Sequence, residues 1–493
     1  MKREAIRRWW PPASFSFDLT DFKLSRLKFQ KHTFQDPAFL LALSSFFLLF
    51  HLGSGSLASW DEAIYASVAK EIIRSGDWFR LTLEGSAWTD KPPLSVWATA
   101  FFYKIFGINE FSARLFSALC GIGTVLVTYF LGRKLLGRWV GFLGALVLLS
   151  SSHYVHYARF GMTDAPLTFF LTLALYLFWL GYEKNRFLIF SGIAIGLAVM
   201  TKSFAGLLIF PVVWIYCAWS GEFEILARSS YWIGVMIAVA IALPWNIFEM
   251  VINRDQYVNE AWLKHLSRTW ASLEGHQGSY YYYIRTLVNK YHPWVLVGII
   301  SAPFFLFKAI RERTSEIIFL TVWMFFIFGV VTLMQTKLEW YLLPVYPALS
   351  LSVGYLLAKI FKEDQKPFVR IMFIAIMALH VPYSHIFDYD YSRDLKGIAP
   401  LVRQSVPSGQ ILYLYNYHEV NAVSFYMDRQ GAYLDSPETF VSEVKSKNDI
   451  FCLIHEKHLK LFEKRLPELG LSVQGSFEDL YLVSKHAKSV HPH

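Results

Sequence analysis

The sequence predicts an α-helical polytopic membrane protein with about 11 transmembrane helices, amphipathic helices on its outer face and a small C-terminal α/β domain. Three observations carry this. Of 493 residues, 54% are hydrophobic and 18% aromatic, with a mean hydropathy of +0.34. Charged residues make up 17%, against about 25% in soluble domains. Apolar runs recur from residue 38 to residue 386, most of them near the roughly 20 residues that a bilayer crossing needs.

The elements follow in chain order. Residues 1–37 form a basic arm containing Lys2, Arg3, Arg7, Arg8, Lys23, Arg26, Lys28 and Lys31. The arm is too long and too polar for a simple cleaved signal. It reads as a cytoplasmic segment, with interfacial helix formation, ahead of a signal-anchor helix. Spans are expected near 38–57, 112–131, 138–154, 165–181, 187–201, 203–219, 230–248, 293–308, 316–334, 340–359 and 368–386. Together they define a transmembrane domain over 38–386 with two long outer loops, 58–111 and 249–292.

The orientation comes from the basic residues, which favour the cytoplasmic side. With the N-terminus inside, the inside loops carry Arg133, Lys134 and Arg138, then Lys184 and Arg186, then Lys308, Arg311 and Arg313, then Lys359, Lys362, Lys366 and Arg370. The short outside loops carry Arg159, Lys202 and Lys337. The net charge of +9 therefore reports topology, and no nucleic-acid partner is expected. An odd number of spans places the C-terminus outside.

In the first outer loop, Ala63–Arg74 sets Ala66, Ala69, Ile72 and Ile73 on one helical face. This predicts an amphipathic helix lying on the membrane. Leu94–Phe106 reads as a second, more apolar helix begun by Pro92 and Pro93. Residues 387–493 change character. Ile411–Tyr415, Phe451–Ile454 and Leu480–Val483 read as strands, and Asp394–Gln404, Glu438–Val444 and His455–Arg465 as helices. Alternation of this kind predicts an extracytoplasmic α/β domain, with a structural role or one in acceptor recognition. It carries no Gly-rich phosphate loop, so no nucleotide cofactor is expected. Cys120, Cys217 and Cys452 lie far apart and imply no disulfide framework.

The candidate functional residues gather at the outer face. Asp61 and Glu62 follow the first span, and Asp164 begins a later one with Pro166 two residues on. Helix capping explains either acid alone; a general base or substrate anchor is the functional alternative. Lys91 and Lys202 read either as snorkelling interfacial lysines or, with Arg268 and Lys337, as cations kept outside to meet an anionic ligand such as a lipid phosphate. His265, with Asp90, is either a metal ligand or an ordinary surface histidine, and no HExxH spacing accompanies it. The run Tyr280–Tyr283 reads as an interfacial aromatic belt.

The segments WDEAIYASVAKEIIRSGDW, TDKPPL and GINEFSARLFSAL, followed by ARFGMTDAPLTFF, GLAVMTKSFAGLL, KHLSR and TKLEWYLLPVYPAL, resemble bacterial lipid-dependent glycosyltransferases of the GT-C fold. The close relatives are the aminoarabinose transferases that modify lipid A, in the superfamily of protein O-mannosyltransferases. The resemblance implies a bacterial inner-membrane enzyme. It would move a sugar or aminosugar from a polyprenyl-phosphate carrier to an extracytoplasmic acceptor such as lipid A, another envelope glycan or protein.

By resemblance, Asp61 and Asp164 match the two acids of the catalytic site. Lys91, Lys202 and Arg268 match cations around the carrier phosphate, and Tyr65 and Tyr341 match aromatic cavity residues. Asp90 and His265 match an acid and a histidine that hold a divalent metal in a relative. Two positions depart: Ile64 stands where relatives commonly carry Arg, and Asp90 where Glu is usual. The expected chemistry is one displacement with inversion. A transporter or flippase, or a noncatalytic presenter of lipid-linked sugar, is the alternative. No internal repeat and no mid-membrane charge cluster accompany the transporter reading.

Overall fold

The computed structural model describes residues 35–269, 271, 275–383 and 390–485. Most of the basic arm expected over 1–37 lies outside the described residues. The chain is a helical bundle with a helix-flanked sheet at one end.

Each segment expected to span is helical over most of its length, from Gln35–Leu49 to Lys366–Tyr383. Among the described residues, five stretches are long and apolar enough to cross a membrane: Glu110–Leu136, Arg186–Ser220, Ser229–Ile252, Ser315–Leu333 and Glu339–Ile360. A sixth arises if the bent pair Ser152–Arg159 and Asp164–Leu180 counts as one crossing.

Two expectations change in detail. The helix expected over 138–154 stops at Leu149, and Ser152–Arg159 follows as a separate short helix, bent by 111° from Asp164–Leu180. The stretch Arg186–Ser220 is not straight. Ser203 has φ 39°, and Gly206 packs on the backbone of Ala198 and Val199. The Tyr216 ring then meets Phe178, and the Tyr182 hydroxyl donates to that of Tyr216 at 3.3 Å. The chain therefore doubles back at Lys202, which puts that lysine at a turn.

Small residues set the closest helix crossing. A Cβ on Gly192 would overlap the Gly234 backbone, so the helices Arg186–Lys202 and Ser229–Ile252 approach almost backbone to backbone. Gly192→Val is expected to force them apart at a cost of about 1–3 kcal/mol, read as a lower melting temperature of the purified protein.

At the bundle end opposite the sheet, Asp36 is fully buried and joins three distant basic residues. It accepts from Arg138 Nε at 2.8 Å, Lys366 Nζ at 2.7 Å and Arg370 at 3.1 Å. Those cations looked like plain topology signals in the sequence. They also tie the first helix to two later ones, and a buried carboxylate needs such company.

The C-terminal sheet has five strands in the order 430–434, 411–415, 450–455, 480–485, 472–477. The first three are parallel and the last two antiparallel to their neighbours. Gln430–Leu434, Ser472–Phe477 and the helix Val420–Met427 were not legible in the sequence. The strand Ser472–Phe477 is mostly solvated and shows a register shift between Val473 and Gly475, so its alternation is weak.

The sheet unit corrects one expectation. The helix Asp61–Ser75 does not lie free on a membrane surface. It is covered on one side by Leu94–Phe106 and on another by Val420–Met427, and Glu62, Tyr65, Val68, Ala69, Lys70 and Ile72 are all buried. Polar contacts fix this docking. Lys70 Nζ meets Asp428 at 2.5 Å and donates to the Phe425 carbonyl at 2.5 Å. The Leu57 amide donates to the Tyr426 hydroxyl at 2.7 Å.

Candidate functional site

The end of the bundle beside the sheet is organised by one buried ion pair that the sequence did not reveal. Glu62 Oε1 accepts from Arg114 Nε at 2.8 Å and from the Gly161 amide at 2.9 Å. Its Oε2 accepts from the Ala58 amide at 2.9 Å and from Arg114 at 3.2 Å. Arg114 also donates to the carbonyls of Leu52, Ser54 and Ser56. Every charged hydrogen-bonding position is thus satisfied, as a buried pair requires.

The geometry has a consequence for the two acids. Asp61 is next to Glu62, and Gly161 lies three residues before Asp164, so the pair holds both loops in one register. Arg114→Leu leaves Glu62 buried and uncompensated. It is expected to cost about 3–5 kcal/mol, seen as a sharp loss of folded protein in a thermal-stability assay.

Asp61 and Asp164 are the first residues of their helices, and neither helix has a side-chain cap at its N-terminus. Hydrogen-bond capping is therefore not what these acids do. Asp164 is buried; its Oδ1 accepts from Lys202 Nζ at 2.6 Å, while Oδ2 has no hydrogen-bond partner. Lys202 Nζ also sits over the Tyr341 ring, 4.8 Å from its centroid. Arg268 donates to the Tyr341 hydroxyl at 2.9 Å.

Lys91, Asp164, Lys202, Arg268 and Tyr341 line one cavity of about 200 Å³. Its remaining wall is mostly apolar, with Leu167, Phe204, Leu208, Ile327, Val331 and Met334. Tyr65 is buried, its ring at 5.8 Å from that of Trp88 and its hydroxyl without a hydrogen-bond partner. Burial pushes this phenol well above its ordinary value, and the negative charges of Asp61, Asp90 and Asp164 add to the rise. Tyr65 therefore stays a neutral donor among three acids.

Other residues named from the sequence fall elsewhere. Lys337 donates to the carbonyls of Val331, Thr332 and Met334, closing the end of helix Ser315–Leu333. It is a helix cap, not a ligand-facing cation. Tyr280 and Tyr281 are exposed, but Tyr283 is buried and bonds the Leu338 backbone, so the run is not a uniform belt.

Asp90 meets Lys91 Nζ at 2.6 Å and Lys264 Nζ at 3.6 Å. The side chain of His265 lies outside the described residues. Among the described residues no three His, Cys, Asp or Glu side chains converge on a metal position. Among the described side chains, the charged groups beside Asp90 are the ammonium groups of Lys91 and Lys264.

The family model for dolichyl-phosphate-mannose-protein mannosyltransferases matches residues 90–248. An uncharacterised protein from Aquifex aeolicus is 31% identical over 320 residues, which cover 64% of this chain and 62% of that protein. The undecaprenyl phosphate-α-4-amino-4-deoxy-L-arabinose arabinosyl transferase of Pseudomonas savastanoi pv. phaseolicola is 27% identical over 358 residues, covering 70% of this chain and 66% of the relative. The match thus spans just under two thirds of each of these relatives. The crystal structure of ArnT from Cupriavidus metallidurans bound to undecaprenyl phosphate superposes with a TM-score of 0.74 at 19% identity, over 92% of this chain and 99% of that one. The chain thus has the GT-C fold, and in sequence it is similar to the lipid-phosphate-dependent glycosyltransferases, the aminoarabinose and protein mannosyl transferases among them.

Proposed function

We propose that this chain is an integral-membrane glycosyltransferase that takes a sugar or aminosugar from a polyprenyl-phosphate carrier and gives it to an acceptor at the outer face of the inner membrane. The observation that carries the reading is the mixed lining of the cavity. Lys91, Lys202 and Arg268 line it with Asp164 and Tyr341, and most of the other lining residues are apolar, which matches a phosphate head on a hydrocarbon tail. The names and bound lipid of the similar proteins support the same class.

The reaction is one displacement. The bond between the anomeric carbon and the carrier phosphate oxygen breaks, and its electron pair leaves with the phosphate. The acceptor oxygen forms the new bond from the opposite face, inverting the carbon. Cations placed where that charge grows lower the barrier; Lys91, Lys202 and Arg268 take this part. Asp61 orients the acceptor and receives its proton when the acceptor is a hydroxyl. Asp164 fixes the Lys202 ammonium, and its second oxygen is left for a sugar hydroxyl. Tyr65 donates from the acceptor side.

About eleven crossings, with the N-terminus cytoplasmic and the sheet domain of 387–493 extracytoplasmic, belong to this reading; the clustering of the candidate site residues at the sheet end of the bundle supports it. Residues gathered at one end of a bundle suit surface chemistry rather than passage through it. Purified protein in liposomes, given a defined polyprenyl-phosphate sugar and an acceptor, is expected to release polyprenyl phosphate and form glycosylated product. Movement of intact donor across the bilayer without bond cleavage would replace this reading with the transporter.

A further inference from the structure

A second charged recess lies away from the cavity, where the sheet domain meets the membrane bundle. It is a groove of about 450 Å³ lined by Lys70, Arg74, Lys396, Arg403, Glu110 and Asp428, together with the apolar Ile108 and Phe425. Four cations face two carboxylates. Lys70 and Arg74 share Asp428, at 2.5 and 2.7 Å, and Lys396 holds Glu110 at 2.5 Å. Arg403 has no carboxylate within ion-pair distance among the described residues. The groove therefore keeps an excess of two positive charges.

Its position gives the ligand's second property. Ile108 and Asn109 precede the helix Glu110–Leu136, and Asn109 caps it, accepting from Ser112 N at 3.0 Å. That helix is one of the stretches able to cross a membrane, and this is its end beside the sheet domain, where Glu110 meets Tyr426 and Lys396. Just before it, the helix Leu94–Phe106 leaves Phe101, Ile105 and Phe106 more than half exposed, and Ile108 is 40% exposed. In a membrane protein such an apolar rim is covered by acyl chains. A cationic recess directly at its edge lies at headgroup depth. Lys70 and Arg74 stand nine and thirteen residues along their helix from Asp61, about 14 and 20 Å at 1.5 Å per residue. The groove is thus separate from the donor cavity and at the same face of the bundle.

We propose that this groove binds the phosphate of a membrane lipid, with Arg403 and Lys396 as the entering contacts and the acyl chains lying on Phe101, Ile105, Phe106 and Ile108. The site does not depend on the reaction at Asp61.

Native mass spectrometry of the full-length protein in detergent tests it, with short-chain phosphatidic acid against phosphatidylcholine as probes. Wild-type protein is expected to retain phosphatidic acid preferentially. The double variant Lys396→Gln and Arg403→Gln, at exposed positions, is expected to weaken that binding roughly thirtyfold, from two lost surface charges. Lys202→Met, which removes a cation from the donor cavity, leaves it unchanged. On wild-type protein alone, raising the ionic strength screens these partly solvated charges and removes the preference. Equal retention of the two lipids, a preference unmoved by salt, or equal affinity in the double variant overturns the proposal. Displacement of the lipid by an equal concentration of inorganic phosphate assigns the groove to a free anion and overturns the lipid assignment.

Discussion

Asp61→Asn is expected to reduce sugar transfer to a hydroxyl acceptor by about 10²–10⁴-fold, the range for removal of a general base, while the protein still inserts and folds. The substitution keeps size and shape. It leaves the Glu62–Arg114 pair, which positions the loop, untouched. The Asp61 side chain forms no hydrogen bond or ion pair with the other described residues, so no structural contact of the carboxylate is lost. The measurement is the initial rate with a defined polyprenyl-phosphate sugar, alongside a melting curve of the same preparation. Near-normal turnover in folded D61N would remove Asp61 from the chemistry. The size of the loss also reports on the acceptor. A hydroxyl must shed a proton to attack, whereas an ionised phosphate acceptor needs little help and would shrink the effect.

Lys202→Met is expected to lower kcat/KM for the lipid donor by about 10²–10³-fold, the scale for one preorganised group that meets charge developing in the transition state. Lys202 is placed by a chain reversal, paired with Asp164 at 2.6 Å and seated over Tyr341. Loss of the ammonium has two effects. It removes a counter-charge for the departing phosphate, and it leaves the buried Asp164 without its ion-pair partner. The second effect is separable. Adding Asp164→Asn to Lys202→Met relieves the uncompensated charge and is expected to recover thermal stability without recovering transfer. Lys202→Arg, which keeps the charge, is expected to retain part of the activity. Unchanged donor kinetics in K202M would make the lysine an interfacial anchor with no part at the phosphate.

The two predictions rest on residues that stood out in the sequence because they are expensive where they are. Asp61, Lys91, Asp164, Lys202 and Arg268 are charges flanking apolar runs, and the structure gathers four of them with Tyr341 around one cavity, while Asp61 and Tyr65 lie beside it. The helical segments were equally legible, since a crossing must satisfy its backbone internally and so announces itself as an unbroken apolar run. The strands Ile411–Tyr415 and Ile450–His455 were visible as short apolar runs, whereas Gln430–Leu434 and Ser472–Phe477 lack that contrast. Lys337 looked like its fellow cations and turned out to close a helix end, because local sequence does not say which way a lysine turns.

The sequence by itself determined the membrane class, the succession of helices, the α/β character of the C-terminal end and the charged residue types that flank the apolar runs. Hydropathy and periodicity are local, so they survive in one dimension. Only the tertiary structure decided who meets whom. Glu62 finds Arg114 across 52 positions, Lys70 finds Asp428 across 358, and Asp36 gathers Arg138, Lys366 and Arg370 from 102 to 334 positions away. A buried charge requires a partner, but the requirement does not name one. That choice is made by which helix ends the packed bundle brings to the same depth.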